Sequence, residues 1–208
     1  MKNKKLIMPF AIGTIMLTMA ACGTQEVTPT ISPTTIQNES VADQSEVNFD
    51  TPSFSNFSSI DLDGNEVTEE IFADYDLTMI NIWGTFCGPC LREMPELGEI
   101  AEEYKEKGVQ VIGIVLDVLD RNGEISDSQV ETAKELVAQT QANYTHLLPS
   151  EDLLQAKLKY VTAVPETLFV DKEGNIIGSS LSGSRDKATW ISIIEQKLEE
   201  INAKNESI

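Results

Sequence analysis

Leu77-Thr78-Met79-Ile80-Asn81-Ile82-Trp83-Gly84-Thr85-Phe86-Cys87-Gly88-Pro89-Cys90 is the stretch on which the reading of this chain turns. Its first seven residues form a nearly continuous apolar run, the pattern of a strand buried on both faces. A helix is predicted to follow, from Cys87 to about Lys107. Two residues between the cysteines let both sulfurs meet across one helical turn. Cys87 then falls at the helix N-terminus, where unpaired backbone N–H groups and the helix dipole favour an anion. The thiolate is the nucleophilic form of cysteine, so this placement lowers the thiol pKa and activates the residue. Cys90 lies one turn further in, is expected to be the more covered, and is suited to resolve a mixed disulfide. Pro89 stands in the first turn, where its missing N–H is not needed.

Working outward, Val109–Asp117 reads as a second buried strand, and its link through a helix predicts a parallel pair with a right-handed crossover. Upstream, Ser58–Leu62 and Asn65–Val67 flank Asp63-Gly64, a hairpin signal, and Thr68 is positioned to cap a short helix through Tyr75. Downstream, Ser128-Gln129-Val130-Glu131 has the form of a capping box. The helix it would open has Val130, Ala133, Leu136 and Val137 on its apolar face. A short helix is predicted over about Asp152–Tyr160. Strands Thr167–Val170 and Asn175–Ser180 are joined by Asp171-Lys172-Glu173-Gly174. A last helix, about Asp186–Ala203, has Trp190, Ile194, Leu198 and Ile201 in one stripe. The order predicts an α/β domain over residues 48–205: a central mixed sheet flanked by helices, preceded by a β-hairpin.

The chain has 208 residues, 41% hydrophobic and 24% charged, which is ordinary for a globular protein with a buried core. A net charge of −19 repels nucleic acid and anionic headgroups, so nucleic-acid binding is set aside. The N-terminus is different in kind. Lys2, Lys4 and Lys5 precede an apolar run from Leu6 to Ala21, followed by Cys22-Gly23. This is the layout of a secretory signal, and the run is shorter than the roughly 20 residues of a spanning helix. Leu17-Thr18-Met19-Ala20-Ala21-Cys22 resembles a bacterial lipobox, although Met19 holds the place usually taken by Leu. The expectation is cleavage of residues 1–21, lipid on Cys22, and a location outside the cytoplasm on the cell membrane. Cleavage leaving a free thiol, or an uncleaved anchor, is the plainer alternative. Residues 22–47 are rich in Thr, Ser, Pro, Gln and Glu and read as a flexible tether, reaching roughly 25–30 Å on average.

Cysteines occur only at 22, 87 and 90, and His146 is the one histidine. A Cys-x-x-Cys alone can be half of a zinc site, but zinc needs about four ligands and no second pair exists. No metal site is expected. An EF-hand register with Gly123 as its sixth position puts Val118 first and Gln129 twelfth, where carboxylates are needed, so Asp117–Glu124 reads as an acidic loop. His146, in an apolar segment, reads as structural.

With strand, Cys-x-x-Cys and helix in place, Trp83–Cys90 resembles the active-site motif of the thioredoxin superfamily. More narrowly, the chain is similar to the TlpA/ResA-like branch of membrane-tethered thiol–disulfide oxidoreductases, over about residues 48–204. The narrower likeness rests on the Asp61–Val67 hairpin, on Asn81 where general thioredoxins carry aspartate, on Glu93 three residues after the second cysteine, and on Pro95. Val164-Pro165-Glu166-Thr167 resembles the family's cis-proline loop. The chain departs from the family in having Phe86 where Trp is frequent, and Gly88-Pro89 between the cysteines as general thioredoxins have.

The resemblance implies a thioredoxin-like fold, no bound cofactor, and catalysis by Cys87 and Cys90 with Pro165 beside them. Trp83, Phe86, Val164 and Glu166 are the implied substrate contacts, and the Val164 backbone would hydrogen-bond an extended substrate segment beside the Cys87 sulfur. Glu93 and Glu166 are candidates to oppose thiolate formation or relay protons, against the alternative that either is solvated at the surface. The implied partners are disulfides of exported proteins, such as apocytochrome c cysteines or a methionine sulfoxide reductase, and a membrane electron donor of the CcdA/DsbD type. A disulfide-forming oxidase is the rival direction. A peroxiredoxin-type peroxidase using Cys87, and a copper-binding module, are rivals of other classes.

Overall fold

The computed structural model describes residues 53–205. The expected signal segment 1–21, Cys22 and the tether over 22–47 lie outside the described residues. Among the described residues, no helix is long and apolar enough to cross a membrane.

Two strands, β1 (Ser58–Ile60) and β2 (Glu66–Thr68), pair antiparallel around the Asp63-Gly64 turn. Asp61 organises that turn by accepting from the Asp63 and Asn65 backbone N–H groups, each at 2.9 Å. Thr68 caps the next segment as its sequence suggests, through a bond from Glu70 N–H, but the segment is a 3-10 turn ending at Phe72 rather than a helix to Tyr75. The main sheet has five strands: β3 (Leu77–Trp83), β4 (Val109–Val115), β5 (Thr145–Leu147), β6 (Glu166–Val170) and β7 (Leu181–Ser182). They lie in the order β5-β4-β3-β6-β7. β4 runs parallel to β3 and β5 parallel to β4, whereas β6 is antiparallel to β3 and β7 to β6.

β3 sits at the centre because it is the most continuously apolar segment, and all seven of its residues are buried. Its alternate residues feed opposite faces. Ile80 and Ile82 join Phe54, Phe57, Phe72, Ile112, Ile114, Leu153 and Leu168 on one side. Trp83, with Leu77 and Met79, faces α1 (Gly88–Tyr104), α2 (Asp127–Thr140) or α4 (Lys187–Asn205) on the other. Each fully buried Ile, Leu or Phe contributes about 1.5–3 kcal/mol, so the two layers fix β3 from both sides. α1 buries Cys90, Met94, Leu97, Ile100 and Tyr104, a helical stripe. It continues through Pro95 and ends, after a 3-10 turn, at Gly108 with φ 76°.

Two sequence expectations shift. The cap of α2 is Ser126, not Ser128, and Asp127 is already helical. The Ser126 N–H donates to Val118 O at 2.8 Å, so a tertiary contact with the preceding loop sets the helix start. The strand expected over 175–180 pairs only briefly, through Ile176 opposite Val170 and Ile177 N–H to Phe169 O. Gly178, at φ 73°, turns the chain out of the ladder, and pairing resumes as β7. A short helix α3 (Glu151–Ala156), capped by Ser150, covers the Phe54–Leu168 face together with a 3-10 turn, Leu158–Tyr160.

Candidate active site

β3 ends at Trp83, and the chain turns through Gly84–Phe86 into α1. Cys87 is the N-cap of that helix: its Sγ accepts from Cys90 N–H at 3.2 Å, and its own N–H donates to Gly84 O at 3.0 Å. Cys87 and Cys90 are joined as a disulfide. Cys90 is fully buried and Cys87 keeps 5% exposure, so the asymmetry expected from a nucleophile and a resolving thiol is present. Phe86 beside them is 75% exposed, an aromatic surface at the mouth of the site. Asp117, at the end of β4, accepts from Thr85 N–H at 2.8 Å and from the Thr85 hydroxyl. This clamp fixes the turn that presents Cys87; the acidic-loop reading of Asp117–Glu124 held no signal for it.

Glu93, one turn beyond Cys90 on α1, is buried at 3% exposure. Its Oε1 accepts from Asn81 Nδ2 at 3.0 Å. Its Oε2 accepts from the Arg185 backbone N–H at 3.1 Å and from Trp190 Nε1 at 3.4 Å. Burial pushes its carboxyl above the ordinary range, and the bonds from Arg185, Asn81 and Trp190 offset part of that rise. The Arg185 guanidinium stacks over Trp190 and donates to Ser182 and Gly183 carbonyls rather than reaching the carboxylate. The Val164–Pro165 peptide is cis, and Val164 packs on the cluster that contains both cysteines.

An AhpC/TSA family model matches residues 48–179. The chain belongs to the AhpC/TSA family. A thiol-disulfide oxidoreductase ResA of Bacillus thuringiensis subsp. konkukian is 29% identical over 132 residues, covering 64% of this chain and 69% of the relative. ResA of Halalkalibacterium halodurans is 51% identical over 35 residues, covering 17% of this chain and 20% of the relative. Among solved structures, a thioredoxin family thiol:disulfide interchange protein from Chlorobium tepidum superposes with a TM-score of 0.58 at 23% identity, covering 71% of this chain and 96% of that one. StoA from Bacillus subtilis superposes with a TM-score of 0.51 at 16% identity, covering 67% and 96%. The fold is therefore the thioredoxin fold, and the chain is a ResA/TlpA-like thiol–disulfide oxidoreductase of the AhpC/TSA family.

Against this family frame the expected site residues divide. The structure gathers Cys87, Cys90 and Val164 in one cluster, with Phe86 and Pro165 adjacent in the chain and Glu93 one turn beyond Cys90 on α1. Trp83 does not offer a substrate contact: it is fully buried and donates from Nε1 to His146 Nδ1 at 3.1 Å. Glu166 pairs in register with Ile82, whose neighbour Asn81 bonds Glu93, so alternation turns its side chain to the other face of the sheet. There it forms a largely buried ion pair with Lys157. His146 is structural, buried beneath α1, and its burial lowers its pKa to about 4. Among the described residues no cluster of His, Cys, Asp or Glu converges as metal ligands do. Sequence reading missed the bonds that Arg185 and Trp190 make to Glu93. Only Trp190 carried a signal, as the opening residue of the α4 stripe.

Proposed function

We propose that the protein reduces disulfides of exported proteins outside the cytoplasm, held to the cell membrane by lipid on Cys22. The observation that carries this reading is a solvent-edge Cys87 at the N-terminus of α1, bonded to a buried Cys90, with a raised-pKa carboxyl one turn away. In the reduced form, the Cys87 thiolate attacks one sulfur of a substrate disulfide. A Cys87–substrate disulfide forms, and the first substrate thiolate leaves and takes a proton. The Cys90 thiolate then attacks Cys87 Sγ, forms the internal disulfide and releases the second substrate thiolate. Two electrons pass to the substrate. Glu93, kept protonable by burial, is suited to accept the Cys90 proton as that thiol becomes nucleophilic. Phe86 and the Val164 backbone form the docking surface for the substrate segment. A membrane donor of the CcdA/DsbD type returns the two electrons. Apocytochrome c cysteines and a methionine sulfoxide reductase are the candidate substrates.

The test is trapping. In the full chain, Cys90→Ser should accumulate a mixed disulfide at Cys87 with a disulfide-bonded protein substrate, and Cys87→Ser should not. Equal trapping by both variants, or by neither, would remove Cys87 as the attacking residue.

A further inference from the structure

The segment between α3 and β6 is held in different ways at its two ends. Lys157 closes α3: its N–H donates to Leu153 O at 3.0 Å, and its carbonyl accepts from Tyr160 N–H at 3.0 Å. The chain then crosses Val161–Pro165 and enters β6 at Glu166, which pairs with Ile82, the residue before Trp83. At the β6 end the backbone is fastened, since Pro165 O accepts from Gly183 N–H at 2.9 Å. At the α3 end Leu158 and Val161 pack into the Phe54–Leu168 cluster. Such packing is strong but non-directional. Among the described residues, one polar bond joins 157–164 to anything beyond α3 and its own turn. It is the Lys157–Glu166 ion pair, which spans the loop from one end to the other.

The residues enclosed by that tie are the ones whose main chain is free. Thr162 and Ala163 are exposed. Neither they nor Val164 donates or accepts a backbone hydrogen bond within the described residues. Val164 packs on the cluster that holds both cysteines, so this unpaired run of main chain ends beside the redox pair. An incoming segment needs such a run for strand addition. Stability alone does not account for the ion pair, because an apolar pair of similar volume stabilises a fold at least as well. What the pair adds is direction. We propose that Lys157 is a positioning residue for substrate docking: its ion pair with Glu166 ties the end of α3 to the start of β6 and so holds the Thr162–Val164 main chain in place for a disulfide-bearing polypeptide segment. It acts through the loop and not on the sulfurs, so it governs how well a polypeptide docks rather than how fast Cys87 reacts.

This inference rests on the reading of the Val164 backbone as a docking surface, and the test separates the two. Lys157→Met combined with Glu166→Leu removes the tie and keeps the volume, so the fold is retained. The full-length protein is reduced beforehand and mixed, in single turnover, with two probes. One is a short peptide closed by a disulfide; the other is dithiobis(nitrobenzoate), an aromatic disulfide with no peptide backbone. The expected result for the double variant is a roughly tenfold rise in the half-saturating peptide concentration, the equivalent of one or two backbone hydrogen bonds. The limiting rate on the peptide and the rate on the aromatic disulfide should stay as in the wild type. Lys157→Arg, which keeps the cation, should dock the peptide as the wild type does. An unaltered half-saturating concentration in the double variant overturns the proposal. So does an aromatic-disulfide rate that falls in the same proportion, the mark of a disturbed cysteine pair. The peptide N-methylated beside its cysteine tests the docking surface itself. If the wild type reduces the methylated and unmethylated peptides equally well, the docking reading falls and the proposal with it. If methylation weakens docking on the wild type while the double variant docks the unmethylated peptide normally, the docking reading stands and Lys157 has no part in it.

Discussion

The two faces of the central sheet each bury one glutamate, and they treat it differently. On the face beneath α3, Glu166 is paired with Lys157, their side chains 8% and 13% exposed. Charge is met by charge. On the face beneath α1, Glu93 is met by Asn81, a backbone N–H and an indole N–H, and the nearest guanidinium turns to carbonyls instead. A carboxylate locked against a cation is held in a structural role. One held by neutral donors in a buried site, with the Arg185 charge acting only from beyond hydrogen-bond reach, keeps a raised pKa and can still exchange a proton. The cysteine helix itself carries the second kind.

The largest effect is expected on the paired face. Lys157→Met leaves Glu166 buried without its partner and should cost about 3–5 kcal/mol, measured by urea unfolding. Lys157→Met with Glu166→Leu should recover most of that loss, because an apolar pair of similar volume replaces a buried ion pair at little cost. If the double variant is no better than the single, the ion pair is doing more than balancing charge, and the comparison breaks.

The α1 face should instead show its groups through pH. His146 has a folded pKa of about 4, below its ordinary 6.5, because burial disfavours the cation. The unfolded chain therefore binds a proton that the folded one refuses. Stability should fall by about 3 kcal/mol as pH drops from near 6.5 to near 4. His146→Gln, which can still accept from Trp83, should flatten that fall in thermal or urea unfolding across pH.

Glu93 has the opposite sign. Its folded pKa lies above the ordinary 4.5, so the folded protein holds its proton longer than the unfolded chain does. Its contribution is fully present below about pH 4.5 and is lost as pH rises through the raised value. Glu93→Gln should remove this slope, and the reduced protein should lose pH dependence in Cys87 alkylation over the same window. A Glu93→Gln profile identical to the wild type in both measurements would place Glu93 with Glu166 as a structural carboxylate. Because the His146 and Glu93 windows overlap with opposite slopes, the two single variants are needed to separate them.

What the sequence made legible follows from how local each feature is. β3 begins and ends where its apolar run does, because seven buried residues leave no ambiguity of period. The Cys87 cap and the burial of Cys90 follow from their spacing at a helix start. The start of α2 was misplaced because Ser128 satisfies a local pattern, while the actual cap is set by Ser126 bonding back to Val118. The 175–180 strand was overextended because nothing in its alternation reveals that Gly178 takes a positive φ. The family resemblance implies substrate contacts at Trp83 and Glu166, which burial and alternation do not allow. Strand alternation sends Glu166 to the far face, and Trp83 spends its N–H on His146. Arg185 and Trp190 reach Glu93 across long sequence separations, and only folding brings them there.

The reductive direction is the central claim, and the reduction potential of the Cys87/Cys90 pair tests it most directly. The protein is equilibrated against graded thiol–disulfide buffers and the internal disulfide is quantified. The account predicts a value near that of thioredoxin, about −270 mV. A value near about −120 mV, that of a strong disulfide-forming oxidant, would contradict it.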